Sequence, residues 1–169
     1  MRLFAAILFD EELHCALEGY ADELKRRGAR GRFTLRENLH LTMAFIGEYG
    51  EPDRVLEAMR AAAFRPMDIC LDGAGNFGDL LWAGVSGGPG AAAFAKRLRR
   101  ELAARRIPCD KKRFMPHITL VRRATLPEGF VPPPVPPAVM RAGRVSLMKS
   151  ERGPGGMIYT EIGSAGEPD

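Results

Sequence analysis

Apolar and polar residues alternate along the chain with two different periods, which predict helices and strands respectively. Apolar side chains recur every three or four residues over Glu11–Arg27, with charges on the opposite side, which predicts an amphipathic helix ended by Gly28. A second helix is predicted over Pro52–Ala63, because proline is favoured in the first turn of a helix. A third helix, again amphipathic, is predicted over Pro89–Arg106.

Short apolar runs between these helices predict strands. The proline-rich stretch 127–137 lacks the backbone donors of a central strand and is expected to be an extended connection. The last six residues are expected to be frayed. The predicted strands are residues 2–9, 39–47, 67–72, 80–86, 117–121, 144–150 and 157–162.

The resulting order, β-α-β-α-β-β-α-β-β-β, predicts an α+β fold. The two halves of the chain also share a pattern: an amphipathic helix, a loop with basic residues, and a strand that begins His-apolar-Thr-apolar. Because 169 residues are within the usual size of one domain, we expect residues 1–169 to form a single two-lobed domain with pseudo-twofold halves.

Composition narrows the class of protein without assigning a function. Hydrophobic residues make up 46% of the chain and charged residues 27%, which favours a folded globular protein over a disordered or fibrous one. The formal net charge of +4 favours anionic partners such as nucleic acid or phosphate, although many basic proteins bind no anion.

Cysteine usage and the amino terminus bear on location. Three cysteines lie far apart in the sequence, and an odd number is not the pattern of a disulfide framework. The apolar run at the amino terminus is short and is followed at once by acidic residues, unlike a signal peptide. No stretch approaches the roughly 20 apolar residues of a membrane span. We therefore expect a cytoplasmic protein with no membrane partner.

Two histidines each begin a strand pattern, and each is followed two residues later by a threonine. Since strand side chains alternate faces, His40 and Thr42 are expected on one face, and His117 and Thr119 on the corresponding face of the other strand. One such motif is ordinarily the polar face of a half-buried strand. Two copies in equivalent places of a repeated half predict two His-Thr pairs at a shared cleft.

Paired histidines and hydroxyls suit the opening of a cyclic phosphodiester. That reaction needs a base to take a proton from attacking water and an acid to protonate the departing ribose oxygen. Histidine can fill either role near neutral pH. The hydroxyls of Thr42 and Thr119 can donate to the non-bridging phosphate oxygens as their charge grows. One histidine must be neutral and the other protonated, so a bell-shaped pH-rate profile is expected.

Metal binding is the natural alternative for two histidines. Neither motif has a carboxylate or cysteine at ligand spacing, and the HExxH pattern is absent. We therefore expect no metal and no other cofactor.

A cationic group is needed to hold the phosphate, and two adjacent arginines compete for that role. Regular alternation places Arg123 on the face of His117 and Thr119 and turns Arg122 away, but a bulge would reverse this preference. Further basic residues can line the mouth of the cleft or be ordinary surface; these are Arg30, Arg32, Lys111, Lys112 and Arg113.

These motifs and their flanks resemble the RNA 2′,3′-cyclic phosphodiesterases of the two-histidine phosphoesterase superfamily, once described as 2′-5′ RNA ligases. The similarity runs in order across nearly the whole chain: RLFAAILFD, ENLHLTMAFIGE, RFMPHITLVR, and a closing Ser150, Gly156 and Tyr159. It implies a bilobal fold with two mainly antiparallel sheets around a central cleft and helices outside. The histidines would face each other across that cleft.

The same resemblance implies a reaction and roles. The enzyme would hydrolyse 2′,3′-cyclic phosphate ends of RNA or nucleotides to 2′-phosphates, as a monomer, with His40 as proton donor and His117 as proton acceptor. The family's phosphate-binding arginine corresponds to Arg122, against the alternation that favours Arg123.

Three alternatives remain open at this point. The reverse reaction, which joins RNA ends through a 2′-5′ bond, uses the same groups, although water is expected to compete with a ribose hydroxyl. A nucleotide-binding module without turnover would need positive charge but no paired proton carriers. A metal hydrolase would lose activity with a chelator.

Overall fold

The computed structural model describes residues 1–167, which form an α+β fold of two antiparallel sheets and three helices. The helices are α1 (Glu11–Arg26), α2 (Pro52–Ala61) and α3 (Gly90–Ala104). The described strands are β1 (Arg2–Ile7), β2 (Arg30–Phe33), β3 (Leu41–Glu48), β4 (Met67–Phe77), β5 (Leu80–Ser86), β6 (His117–Thr125), β7 (Val139–Ala142), β8 (Arg144–Gly153) and β9 (Gly156–Gly166).

The three predicted helices are confirmed, and α1 shows why such a sequence forms one. The side chain of Asp10 accepts a hydrogen bond from the backbone N–H of Leu13 at 2.9 Å and so caps the first turn. Acidic residues occupy that first turn and basic residues the last, which complements the helix dipole. The face of α1 turned to the core carries Leu13, Leu17, Tyr20 and Leu24.

Each of the two histidine motifs belongs to a different sheet. The four-stranded sheet has the order β3-β1-β8-β9, and the five-stranded sheet has the order β2-β6-β5-β4-β7. One hydrophobic cluster joins them, with Ile7 and Leu41 from the first sheet and Leu81 and Ile118 from the second. The first sheet is therefore covered on one face by this core, which leaves its other face to build a site.

That other face is itself partly apolar. Phe4 and Ala6 of β1 and Met148 of β8 form a second small buried cluster, against which the partly buried Phe45 and Tyr159 pack. Strand β1 is thus buried on both faces, as its uninterrupted apolar sequence predicts. His40 packs against this second face of the sheet, where its ring contacts Phe4.

The predicted strands are confirmed, but two further strands and the end of the chain were not predicted. Strands β2 and β7 are the two edges of the five-stranded sheet; each has four residues, and most of their side chains are exposed. The expectation of fraying is wrong for Ser164 to Gly166, because β9 pairs with β8 as far as the Arg144–Gly166 partners. Residues 168–169 of the same expectation lie outside the described residues.

The proline-rich connection 127–137 contains no strand, as predicted. Among residues 1–167, no helix is long and apolar enough to cross a membrane.

Candidate active site

The first histidine lies at the point where the chain enters β3. A short 3-10 turn, Arg36–Asn38, precedes it, and the side-chain amide of the buried Asn38 donates to the carbonyl of Met157 at 2.9 Å. The Nδ1–H of His40 donates to the carbonyl of Asn38 at 2.7 Å. Because a carbonyl can only accept, this bond keeps the proton of the neutral ring on Nδ1 and leaves Nε2 unprotonated. In the neutral ring, the hydroxyl of Thr42 donates to Nε2 at 2.9 Å.

Two aromatic rings fix the plane of the His40 imidazole. The ring centroid of Phe4 lies 4.9 Å away, and Tyr159 meets His40 edge-on at 5.4 Å. Burial lowers the pKa of His40, the hydrogen bond to Asn38 partly opposes this, and the positive charges of Arg122 and His117 lower it further. The charged form of His40 is therefore disfavoured in the free protein.

The second histidine is the first residue of β6 and is anchored in the same way. Its Nδ1–H donates to the carbonyl of Met115, two residues earlier, at 2.7 Å. Phe77 meets the ring edge-on at 5.2 Å, and Trp82 lies at 6.4 Å. In the neutral ring, the proton of His117 is therefore also on Nδ1, and Nε2 is the unprotonated nitrogen. Both histidine side chains are half-buried, but the hydrogen bond from His117 to Met115 is exposed, whereas that from His40 to Asn38 is partly buried.

The structure brings both histidines close together. His117 is near enough for its charge to act on His40, although the two belong to different sheets. A cavity of about 500 Å³ is lined by His40, Thr42 and Arg122, together with Phe4 and Tyr159. His117 and Thr119 are not among the residues that line this cavity; they lie on β6 beside Arg122.

A bulge in β6 determines which of the two arginines faces the cavity beside His40. Strand β5 places Leu81 opposite Val121 and the next residue, Trp82, opposite Thr119, so β6 carries one extra residue at Leu120. Thr119 and Val121 therefore face opposite sides, and Val121 is fully buried in the core.

Arg122 consequently returns to the side of His117 and Thr119 and lines the cavity beside His40. The alternation that favoured Arg123 fails because the strand is not regular. Arg123 has a left-handed backbone, with φ of 52°, and lines neither this cavity nor its neighbour.

The other candidate basic residues also divide into one that lines a cavity and several that do not. Arg32 lies opposite Arg122 across the β2–β6 pair and lines a second cavity next to the first. Arg30 and the run Lys111, Lys112 and Arg113 are exposed and line neither cavity. Within residues 1–167, no group of three or more His, Cys, Asp or Glu side chains is placed to hold a metal ion.

Sequence reasoning did not identify several residues of the cavity. Phe4 of β1, Tyr159 of β9 and Arg152 of β8 all line it. No local pattern marks them as site residues. They reach the cavity only because β1, β8 and β9 are neighbours of β3 in the folded sheet.

Comparisons with known proteins agree with this architecture. The 2′-5′ RNA ligase superfamily matches residues 13–154. The RNA 2′,3′-cyclic phosphodiesterase of Methanothermobacter thermautotrophicus is 30% identical over 96% of this chain and 96% of its own. The protein of the same name from Thermus thermophilus is 35% identical, over 96% of this chain and 88% of its own. The crystal structure of Escherichia coli LigT complexed with 3′-AMP has a TM-score of 0.84 at 27% identity, over 98% of this chain and 97% of that chain.

Proposed function

The chain belongs to the 2′-5′ RNA ligase superfamily, and we propose that it hydrolyses RNA 2′,3′-cyclic phosphate ends to 2′-phosphates without a metal ion. Relatives that span nearly the whole chain bear the name RNA 2′,3′-cyclic phosphodiesterase. The observation that carries the proposal is the pair of histidines, each with Nδ1 bound to a carbonyl two residues earlier at 2.7 Å. In both rings Nε2 is thereby the nitrogen that we propose takes part in proton transfer.

The proposed reaction is an in-line displacement at phosphorus. His117 Nε2 removes a proton from water as the water oxygen bonds to phosphorus. The bond from phosphorus to the 3′ oxygen breaks, and His40 Nε2–H gives its proton to that oxygen. The products are a 2′-phosphate and a free 3′-hydroxyl, with one proton moved from His40 to the 3′ oxygen and one from water to His117. Each proton transfer is worth about 10²–10⁴ in rate.

The acid role requires His40 to be protonated when the substrate is bound. In the free protein, burial lowers the pKa of His40 and disfavours that protonated form. The negative charge of a bound cyclic phosphate offsets the positive charge of Arg122, which favours protonation of His40 when substrate enters. The assignment of donor and acceptor otherwise follows the family resemblance.

Three further side chains are proposed to hold the phosphate. Arg122 provides a charge that is paired with no carboxylate of the described residues, and it lies in the His40 cavity. Thr42 and Thr119 would donate to non-bridging oxygens, which gain charge in the five-coordinate transition state. For Thr42, this requires the hydroxyl to exchange its bond to His40 for one to the phosphate.

The superfamily's description favours one second activity, the joining of RNA ends through a 2′-5′ bond. By microscopic reversibility, it would use the same two histidines in exchanged roles. We propose hydrolysis as the main reaction because water competes with the ribose hydroxyl at the same position. We also propose that the enzyme is a cytoplasmic monomer, since its three cysteines are free and both histidines of the site come from one chain.

The proposal is tested with adenosine 2′,3′-cyclic phosphate in the presence of EDTA. Wild type should form 2′-AMP rather than 3′-AMP, as resolved by chromatography against both standards. His40→Ala and His117→Ala should each lower kcat by about 10²–10⁴. His14→Ala is the matched control, because His14 lies on α1 and its Nδ1 contacts the carbonyl of Asp10.

Turnover that survives loss of either motif histidine at a near wild-type rate would contradict the mechanism. Complete loss of activity with EDTA would point instead to a metal hydrolase. Tight binding of the nucleotide without any product would favour a binding module.

A further inference from the structure

A second cavity, of about 600 Å³, adjoins the one that contains His40. The two share Arg122, Arg152, Met157 and Tyr159, so they form one continuous depression. We call the second cavity the arginine groove, after Arg32, Arg122 and Arg152, which line it. One wall comes from β2 and the turn that follows it; the opposite wall comes from the β8–β9 hairpin.

The arginine groove is positively charged and contains no acidic side chain. Three guanidinium groups line it, and none of its lining residues is Asp or Glu. Within residues 1–167, none of the three arginines forms an ion pair, whereas Arg27 and Arg105, which directly follow α1 and α3, are each paired with a glutamate of the preceding helix. Arginine at such a site is well matched to phosphate, which it binds through a planar fork of donors.

The strand pairing adds an independent sign that an anion belongs here. Arg32 and Arg122 are direct partners across the β2–β6 pair. Like charges placed opposite each other on neighbouring strands are destabilising. An anion bound between the two guanidinium groups would remove this repulsion.

The shape of the groove suits a chain rather than a compact ion. The β8–β9 hairpin lines it with Gly153, Gly155 and Gly156, which have no side chains to obstruct a polymer backbone. The groove begins at Arg122, where the terminal cyclic phosphate is proposed to bind. Arg122 and Arg152 line both cavities, whereas Arg32 lines the arginine groove alone, so the next phosphate along an RNA chain would meet Arg32.

We propose that the arginine groove binds the phosphodiester that precedes the terminal cyclic phosphate, so that the enzyme takes RNA chain ends in preference to cyclic mononucleotides. The inference rests on the proposed function, because it names the substrate class of the same site. Recognition is by charge, so the preference is for chain length and not for a particular base.

The test compares adenosine 2′,3′-cyclic phosphate with the dinucleotide ApA 2′,3′-cyclic phosphate. Wild type should have a kcat/KM for the dinucleotide at least about 10-fold higher, and Arg32→Gln, which changes only the arginine groove, should lose most of that ratio. In a plot of log(kcat/KM) against log salt concentration, the slope for the dinucleotide should be steeper than that for the mononucleotide by roughly 0.7, because of the added phosphate contact. This difference in slope should vanish in the variant. Arg30→Gln is the matched control, since Arg30 is on the same strand but outside both cavities.

A binding measurement separates this inference from the proposed function. Calorimetric titration with ApA, which has the phosphodiester but no terminal phosphate, should show weaker binding to Arg32→Gln than to wild type. If neither substrate is hydrolysed but ApA binding depends on Arg32, the proposed function fails and the groove remains. If both substrates are hydrolysed with equal kcat/KM, or the variant lowers both equally, the groove proposal is overturned. Thermal melting of each variant should match wild type, which excludes misfolding as the cause.

Discussion

The two histidine strands resemble each other in backbone and differ in surroundings. In both, Nδ1 is bound to a carbonyl two residues earlier at 2.7 Å, and two aromatic rings lie against the imidazole. His40 is additionally hydrogen-bonded to Thr42 and lies beside Arg122, and its bond to Asn38 is partly buried, whereas the bond of His117 to Met115 is exposed. The shared local geometry sets which nitrogen carries the proton of the neutral ring, and burial lowers the pKa of His40.

A substrate with a better leaving group tests whether His40 is the proton donor and His117 the proton acceptor. Of the three predictions, this one has the largest expected effect. Replacing the 3′ oxygen of the cyclic phosphate with sulfur creates a leaving group that needs little protonation. His40→Ala should then recover most of the roughly 10²–10⁴ that it loses on the oxygen substrate, while His117→Ala should remain impaired. Rates of both variants on both substrates provide the measurement.

The opposite pattern, with rescue of His117→Ala alone, would exchange the donor and acceptor. Rescue of neither variant would mean that proton transfer to the leaving oxygen does not limit the reaction. The assignment of separate donor and acceptor roles to the two histidines would then be contradicted.

The two threonines offer a matched pair with a smaller expected effect. Thr42→Val and Thr119→Val each remove a hydroxyl at nearly constant volume, and loss of one such donor to a transition-state oxygen costs about 10²–10³ in kcat. Only Thr42 also bonds to Nε2 of its histidine. Thr42→Val should therefore move one limb of the pH-rate profile, while Thr119→Val should lower the rate and leave the profile in place.

Measurement of kcat/KM from pH 5 to 9 distinguishes the two variants. Identical profiles would show that the bond between Thr42 and His40 has no influence on proton transfer.

Features that depend on residues close together in the sequence could be predicted, and features that depend on strand pairing could not. The His-Thr spacing and the apolar runs around it are local, and they predicted both strands. The position of Arg122 depends on one extra residue at Leu120, which appears only when β6 is paired with β5. Arg152 and Tyr159 come from strands distant in sequence, so no local pattern connects them with His40.

The strands that escaped prediction share one physical reason. Both β2 and β7 are four-residue edge strands with two or three exposed side chains each, so they are too short to show the apolar alternation that identifies a half-buried strand. One of them, β2, carries Arg32 into the arginine groove. An edge strand can thus lack the apolar alternation that predicts strands and still place a residue at the site.

The burial of His40 predicts a pH dependence of stability, which is the smallest of the three effects. Because burial lowers the pKa of His40 in the folded protein, the unfolded chain binds a proton more readily. The free energy of unfolding should be fully retained above the ordinary histidine value of about 6.5 and fall as the pH drops from there through the lowered pKa. Urea unfolding from pH 5.5 to 7.5 measures this slope. His40→Gln should reduce it and His117→Gln should keep the contribution of His40, so equal slopes in wild type and His40→Gln would contradict the burial argument.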